Sequence, residues 1–275
     1  MKFSASIPLL PKSLETQICG YATSYELVFD CSELDDIIKD DFFIDQKLLR
    51  QKIKEKTEKQ IPYYLFGTLL DNITNNIALE LNESLPLKEC IFTIDIPENY
   101  LVDSMDLSLE VNKTNFNLKL FQKYNNNNIL LLESGVAIGR GEYSGGKFKT
   151  PEGDFFLQRI ILDPWWYPPE WAGTTIPEKP GINNPYGLYM AEICSVDSLS
   201  GYEFSPRGDT GTRLHGTNKP RSIGTAASHG CIRVGEVEEL FKGMFNYVRT
   251  REGKTTGRGN IHPLEKVIPI KIYKN

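Results

Sequence analysis

The chain contains no apolar run approaching the roughly 18 residues that a membrane-spanning helix requires. It also lacks a basic surplus. The formal net charge is −5 over 275 residues, which argues against a nucleic-acid partner. No internal repeat and no low-complexity linker interrupts it, so a repeat array is not expected. The N-terminus, Met-Lys-Phe-Ser-Ala-Ser-Ile-Pro-Leu-Leu-Pro, reads as a poor signal peptide, because Pro8 and Pro11 break its short apolar stretch. Histidine and tryptophan are scarce, at three each, so their placement carries information. The five cysteines are Cys19, Cys31, Cys90, Cys194 and Cys231. With Cys231 set aside, four remain. They are compatible with up to two disulfides, Cys19–Cys31 among them, and equally with small buried thiols.

What is present is ordinary for a globular chain: 40% hydrophobic and 24% charged residues, in a length that fits one large domain or two modest ones. Residues 1–103 read as a mixed α+β unit without a chemical motif. Residues 25–29 alternate as a strand does, and residues 33–60 suggest one or two exposed helices. The Lys/Glu run at 52–59 reads as a solvated helix face. After Pro62, residues 63–82 carry apolar groups at helical spacing, and residues 90–96 form a strand that stops at Pro97. From residue 104 the texture changes. Short alternating stretches at 107–111, 115–121 and 129–138 predict an antiparallel sheet. Asn125–Asn128 forms a hairpin tip. Further strands are expected at 154–161 and 188–194, an amphipathic helix at 237–248 and a loop at 249–260. The last strand, 267–272, contains Pro269, which predicts an edge position. His262 beside Pro263 reads as a solvated loop histidine.

All three tryptophans fall in Asp163-Pro164-Trp165-Trp166-Tyr167-Pro168-Pro169-Glu170-Trp171. The prolines exclude a helix interior or a central strand. The segment is therefore a loop. Its rings either fold onto the loop's own core or wall a substrate cleft.

The other scarce residue gathers too. Two histidines, His215 and His229, lie within residues 212–234, and Cys231 follows the second by two positions. A thiol reacts as thiolate, and a nearby imidazole accepts its proton. Gly230 would let backbone N–H groups turn toward an oxyanion. The same three residues could instead ligate zinc and leave one position open. The pattern alone leaves both chemistries standing, beside structural coincidence.

The order His215-Gly216-Thr217 … Ser228-His229-Gly230-Cys231-Ile232-Arg233 resembles the signature of the L,D-transpeptidase catalytic domain family (YkuD-type). Thr150-Pro151-Glu152-Gly153-Asp154-Phe155 resembles its Thr-Pro-x-Gly-x-Phe turn. The resemblance spans about residues 104–275 and leaves 1–103 as an accessory α+β domain of unknown role. It implies a mainly β, sandwich-like catalytic domain with a capping loop. The implied chemistry is acyl transfer on peptidoglycan stem peptides. Cys231 forms a thioester with the third residue of a tetrapeptide, releases D-Ala and passes the acyl group to an amine, giving a 3→3 cross-link. Water as acceptor makes the enzyme an L,D-carboxypeptidase, and a lipoprotein lysine makes it an anchoring enzyme. By the same resemblance Cys231, His215 and His229 are the catalytic residues: His215 is the base and His229 shapes the pocket and supports the oxyanion site, with an exchange of roles between the two imidazoles left open. Gly230, Ser228 and Gly216 form the oxyanion and motif loop. Arg233, Trp165, Trp166, Tyr167, Tyr186 and Arg213 are substrate-binding candidates. No cofactor is implied, carbapenem β-lactams are expected to acylate the thiol, and the site of action is the cell envelope or periplasm.

Overall fold

The computed structural model describes residues 2–7, 21–39, 43–60, 67–83, 89–97, 104–142, 147–195 and 209–275. The chain divides into two compact units, Met1–Asp103 and Ser104–Asn275. Among the described residues no helix is long and apolar enough to cross a membrane.

The first unit has strands β1 (Lys2–Ile7) and β2 (Tyr21–Asp30), helix α1 (Cys31–Ile37), short strands β3 (Ile38–Lys39) and β4 (Phe43–Ile44), helices α2 (Gln46–Gln60) and α3 (Gly67–Glu83), and strand β5 (Glu89–Pro97). Its sheet runs β1-β5-β2, with β5 central. Helix α1 starts where it does because Asp30 and Glu33 form a capping box. The Asp30 carboxylate accepts the Glu33 N–H, and the Glu33 carboxylate accepts the Asp30 N–H. The apolar spacing along α2 and α3 buries Leu49, Ile53, Leu70, Ile73, Ile77 and Leu81. Each such side chain stabilises by about 1.5–3 kcal/mol when fully buried. In the Lys/Glu run, Lys56 bonds Glu33 at 2.9 Å. Pro62, Cys19 and the proposed Cys19–Cys31 pairing lie outside the described residues.

The second unit is mainly β, in accord with the sequence. Strands β6 (Asp106–Asn112), β7 (Asn117–Tyr124) and β8 (Asn127–Gly139) form a meander. Its tip is a two-residue turn in which Asn125 and Asn126 both have positive φ, 49° and 65°. Asparagine tolerates that conformation, and it suits the twist of a tight hairpin. Strands β9 (Gly153–Leu162), β10 (Tyr189–Ser195), β11 (Asp209–His215), β12 (Ala226–Ser228) and β13 (Ile232–Val234) follow, then helix α4 (Val237–Tyr247), β14 (Lys254–Thr256) and β15 (Gly259–Tyr273).

The pairing order β8-β13-β11-β10-β9-β15-β6-β7 returns to β8, so the sheet closes on itself. Closure removes the open edges at which strands recruit other chains. Strand β8 holds three neighbours because its 13 residues divide: residues up to Gly135 pair with β7, Val136 and Ala137 with β13, and Ile138 and Gly139 with β12. Helix α4 buries Leu240, Phe241, Met244 and Tyr247, and Tyr189 stacks on Phe241 at 5.6 Å. The 163–188 connection leaves and rejoins the sheet at paired residues, Leu162 and Tyr189.

Three expectations need correction. Strand β15 is not an edge strand, since it lies between β9 and β6. Pro269 is tolerated because pairing to β6 begins only at Ile270. The expected 249–260 loop contains a hairpin: Lys254, Thr255 and Thr256 pair back onto Ile261, Asn260 and Gly259. His262 consequently sits in a strand, with its ring edge-on to Phe245 at 5.4 Å.

Candidate active site

The site is built where β11 ends and β13 begins. These strands are parallel neighbours, with Leu214 opposite Ile232 and His215 opposite Arg233. Histidine and cysteine, sixteen residues apart in sequence, thus come to adjacent strands and line one cleft of about 770 Å³. Ser228, His229 and Arg233 line it as well.

His215 is buried, at 4% exposure. Its Nδ1 lies 2.5 Å from the Gly216 carbonyl oxygen. A carbonyl only accepts, so Nδ1 carries the proton and Nε2 is left with its lone pair. Tyr186 stands edge-on to the imidazole at 4.9 Å. Burial pushes His215 down to about 3, against the raising effect of the Gly216 hydrogen bond, and Arg233 and Arg213 lower it further. The ring is therefore neutral across the physiological range.

Burial also pushes the Cys231 thiol up. A hydrogen bond from the Arg213 backbone and the charges of Arg213 and Arg233 act in the opposite sense without cancelling it. The resting pair is thus thiol and neutral imidazole, not thiolate and imidazolium.

The turn that presents Cys231 is fixed from inside. Ser228 Oγ donates to the Cys231 carbonyl at 2.5 Å and accepts the Gly230 N–H at 3.1 Å. Gly230 has φ +111°, a conformation closed to other residues. Its carbonyl accepts from Thr150 Oγ1 at 3.0 Å, and that hydroxyl in turn accepts the Gly139 N–H at 2.8 Å. Thr150 is itself 1% exposed. Its own carbonyl is held by Lys113 Nζ at 3.0 Å, and the same ammonium pairs with Glu152 at 2.8 Å. Lys113 and the Thr150–Glu152 turn therefore pin the cysteine turn from below.

Most of the candidates named from sequence meet at this cleft, with changed assignments. Gly230 was expected to offer its amide to an oxyanion, but Ser228 takes that amide. Gly216 acts through its carbonyl on His215. His229 lies edge-on to Phe148 at 4.8 Å. It too is pushed down, first by burial and then by Arg140, Arg233 and Lys219. Arg233 both lines the cleft and donates to Ser222 Oγ at 3.1 Å. Trp166 and Tyr167 line the cleft, whereas Trp165 faces two neighbouring pockets. Arg213 lines a neighbouring pocket with Trp165, Tyr167 and Tyr186 instead. It holds Asp209 through two nitrogens, at 2.5 and 2.7 Å, and faces Glu192 at 3.4 Å. Glu192 is 2% exposed and also pairs with buried Arg159. Among the described residues no group of three His, Cys, Asp or Glu is placed to hold a metal ion.

Several lining residues were not legible beforehand. Arg140 and Lys219 join Arg233 as cations in the cleft, against the single carboxylate of Glu178. A chain of net charge −5 thus presents a positive cleft. Arg140 lies over the Phe148 ring at 4.9 Å, and Phe148 holds φ at 73°, which a bulky residue rarely adopts. Nothing in a Gly-Arg-Gly-Glu stretch announces such a cation. Thr150 was quoted within a motif, but its hydroxyl's two bonds are visible only in three dimensions.

Among curated proteins no relative matches the chain. Two of the solved structures that match share weak likeness. Bd1075 of Bdellovibrio bacteriovorus has 20% identity and a TM-score of 0.35, over 62% of this chain and 48% of that one. A fused Zn-dependent amidase/peptidase/peptidoglycan-binding domain-containing protein of Clostridium acetobutylicum has 14% identity and a TM-score of 0.31, over 64% of this chain and 56% of that one. The chain spans about half the length of each. The model of the L,D-transpeptidase catalytic domain (YkuD) matches residues 106–249, more than half of the sequence, and the chain belongs to that family.

Proposed function

We propose that this protein is a peptidoglycan L,D-transpeptidase with Cys231 as nucleophile and His215 as base. One observation carries the reading. The Gly216 carbonyl fixes His215 as the Nδ1–H tautomer on the strand beside Cys231, inside a cleft whose cations suit a carboxylate-bearing peptide. In the proposed cycle, Nε2 takes the thiol proton as sulfur attacks the carbonyl carbon of the third stem residue. The tetrahedral intermediate collapses to a thioester. The imidazolium returns its proton to the departing D-Ala amine. An incoming amine then attacks the thioester, giving its proton to His215, and the thiol is regenerated. Because the Gly230 amide is occupied, the Cys231 N–H is the motif's donor for the oxyanion. Arg140, Lys219 and Arg233 hold carboxylates of the stem.

The same thioester passed to water would trim stems, and passed to a lipoprotein amine would anchor it. Such substrates place the activity outside the cytoplasm. The test is intact-mass analysis after incubation with a carbapenem, combined with D-Ala release from a tetrapeptide stem. An adduct and D-Ala release that both vanish in Cys231→Ala are expected. Adduct formation at another residue, or D-Ala release surviving in Cys231→Ala, sinks the mechanism. Product masses with and without an added amine separate cross-linking from trimming.

A further inference from the structure

We propose that the 163–187 loop carries a saccharide platform beside the cleft, with Trp165 and Tyr167 as stacking rings and the groove behind Trp165 as the seat. The proposal rests on the peptidoglycan reading above and adds the glycan chain to the peptide.

Five large hydrophobic side chains are exposed among the described residues: Leu79, Trp165, Tyr167, Ile176 and Ile182. All but Leu79 lie in this one loop. Leaving such groups in water is unfavourable, and three of them sit together, Tyr167 beside Trp165 and Ile182 in the same groove as Trp165, which marks an interaction surface. The rings of Trp165 and Tyr167 are 6.4 Å apart and 30° from parallel, and both are exposed.

The loop is built to hold them there. Tyr167 Oη donates to the Gly257 carbonyl at 2.7 Å, and the Trp165 N–H donates to the Arg258 carbonyl at 3.2 Å. Trp166 and Glu178 exchange both backbone bonds, at 3.0 and 2.9 Å. Buried Asn184 donates to the carbonyls of Pro164, Glu178 and Lys179. A surface fixed in this way pays its ordering cost before a ligand arrives.

Behind Trp165 lies a groove of about 580 Å³, lined by Pro177, Pro180 and Ile182 together with Glu178, Lys179 and Asn183. Its charges cancel, whereas the cleft at Cys231 carries three cations against one carboxylate. Neutral and cationic surfaces side by side suit two ligand chemistries. A pyranose ring has an apolar C–H face for an aromatic ring and a rim of hydroxyls for polar side chains and carbonyls. The two surfaces are continuous: Glu178 lines both the groove and the cleft, and Tyr167 lines the cleft and the pocket next to Trp165. A glycan seated on the loop would thus carry its attached peptide toward Cys231.

The test is fluorescence anisotropy of end-labelled, peptide-free glycan strands with the full chain. Saturable binding is expected, weakened at least tenfold in Trp165→Ala and in Ile182→Ser and less in Trp165→Phe. Turnover of a free tetrapeptide by Ile182→Ser should be unchanged. Wild-type protein that does not bind the strands, or variants that bind as it does, overturns the platform. So does self-association in sedimentation velocity, or flotation with lipid vesicles, that Trp165→Ala abolishes, since the patch would then serve a second copy or a membrane. Tetrapeptide turnover is read without glycan. Its absence in the wild type counts against the peptide chemistry, and lost glycan binding alone counts against the platform.

Discussion

At Cys231 burial acts against ionisation, and nearby cations only partly offset it. A thiol raised above its ordinary value next to a neutral imidazole has a distinct kinetic signature. The rate of Cys231 alkylation by iodoacetamide should keep climbing past pH 9. A plateau near neutral pH would show a preformed thiolate–imidazolium pair instead. His215 adds a stability signature. Its native value is about 3 against 6.5 unperturbed, so below 6.5 the unfolded chain takes up a proton that the native chain refuses. Its contribution is complete above about pH 6.5 and is lost as pH falls toward 3. Urea unfolding at several pH values should show a shallower acid slope in His215→Gln than in the wild type. An unchanged slope would mean that another group sets it. Gly230→Ala meets a different obstacle, since φ +111° is strained for any side chain and its Cβ would lie 3.3 Å from the Lys149 carbonyl oxygen. A loss of about 1–3 kcal/mol is expected, measured by denaturant melts.

Among the elements, the Thr150 turn is the support on which the cysteine turn rests. Thr150→Val keeps the shape and removes the hydroxyl, leaving the Gly139 N–H and the Gly230 carbonyl without their partner. Each buried group left unpaired costs about 1–3 kcal/mol. Stability should fall accordingly and D-Ala release should fall with it, while Thr150→Ser retains most of both. Equal behaviour of the two variants would show that the hydroxyl is not what matters. Elements of this kind explain what the sequence could show. Alternation marked the strands of the β6–β8 meander, and helical spacing marked α4, because both patterns follow from one buried face. Pairing partners leave no such trace. Pro269 therefore suggested an edge that β15 does not have, and the Lys254–Thr256 hairpin, polar on both faces, read as loop. Likewise Cys231 and His215 were legible by residue type and order, whereas the engagement of the Gly230 amide by Ser228 depends on the fold of the turn.

On the scale of the molecule, charge is distributed against its own sum. The chain carries −5, yet Arg140, Lys219 and Arg233 make the cleft positive. Such a field should assist capture of a carboxylate-rich stem more than the chemical step. Raising ionic strength from about 0.01 to 0.15 M shortens the screening length from about 30 to about 8 Å. KM for a stem peptide should rise across that range while kcat holds, as read by D-Ala release. A salt-independent KM would remove the electrostatic role of the three cations. The closed ring of strands was also beyond the sequence, because closure depends on β8 changing neighbours at Gly135.

The loop that begins after Leu162 and ends before Tyr189 springs from two residues that are already paired. Its ends are held together by the sheet, so its length can change at little cost, since loop-closure entropy grows only slowly with length. The chemistry of β11 and β13 and the surface that meets the substrate can therefore diverge separately. Selection, or an engineer exchanging the 163–188 segment, could alter which wall is recognised while leaving the thiol, the imidazole and their carbonyl strut as they stand.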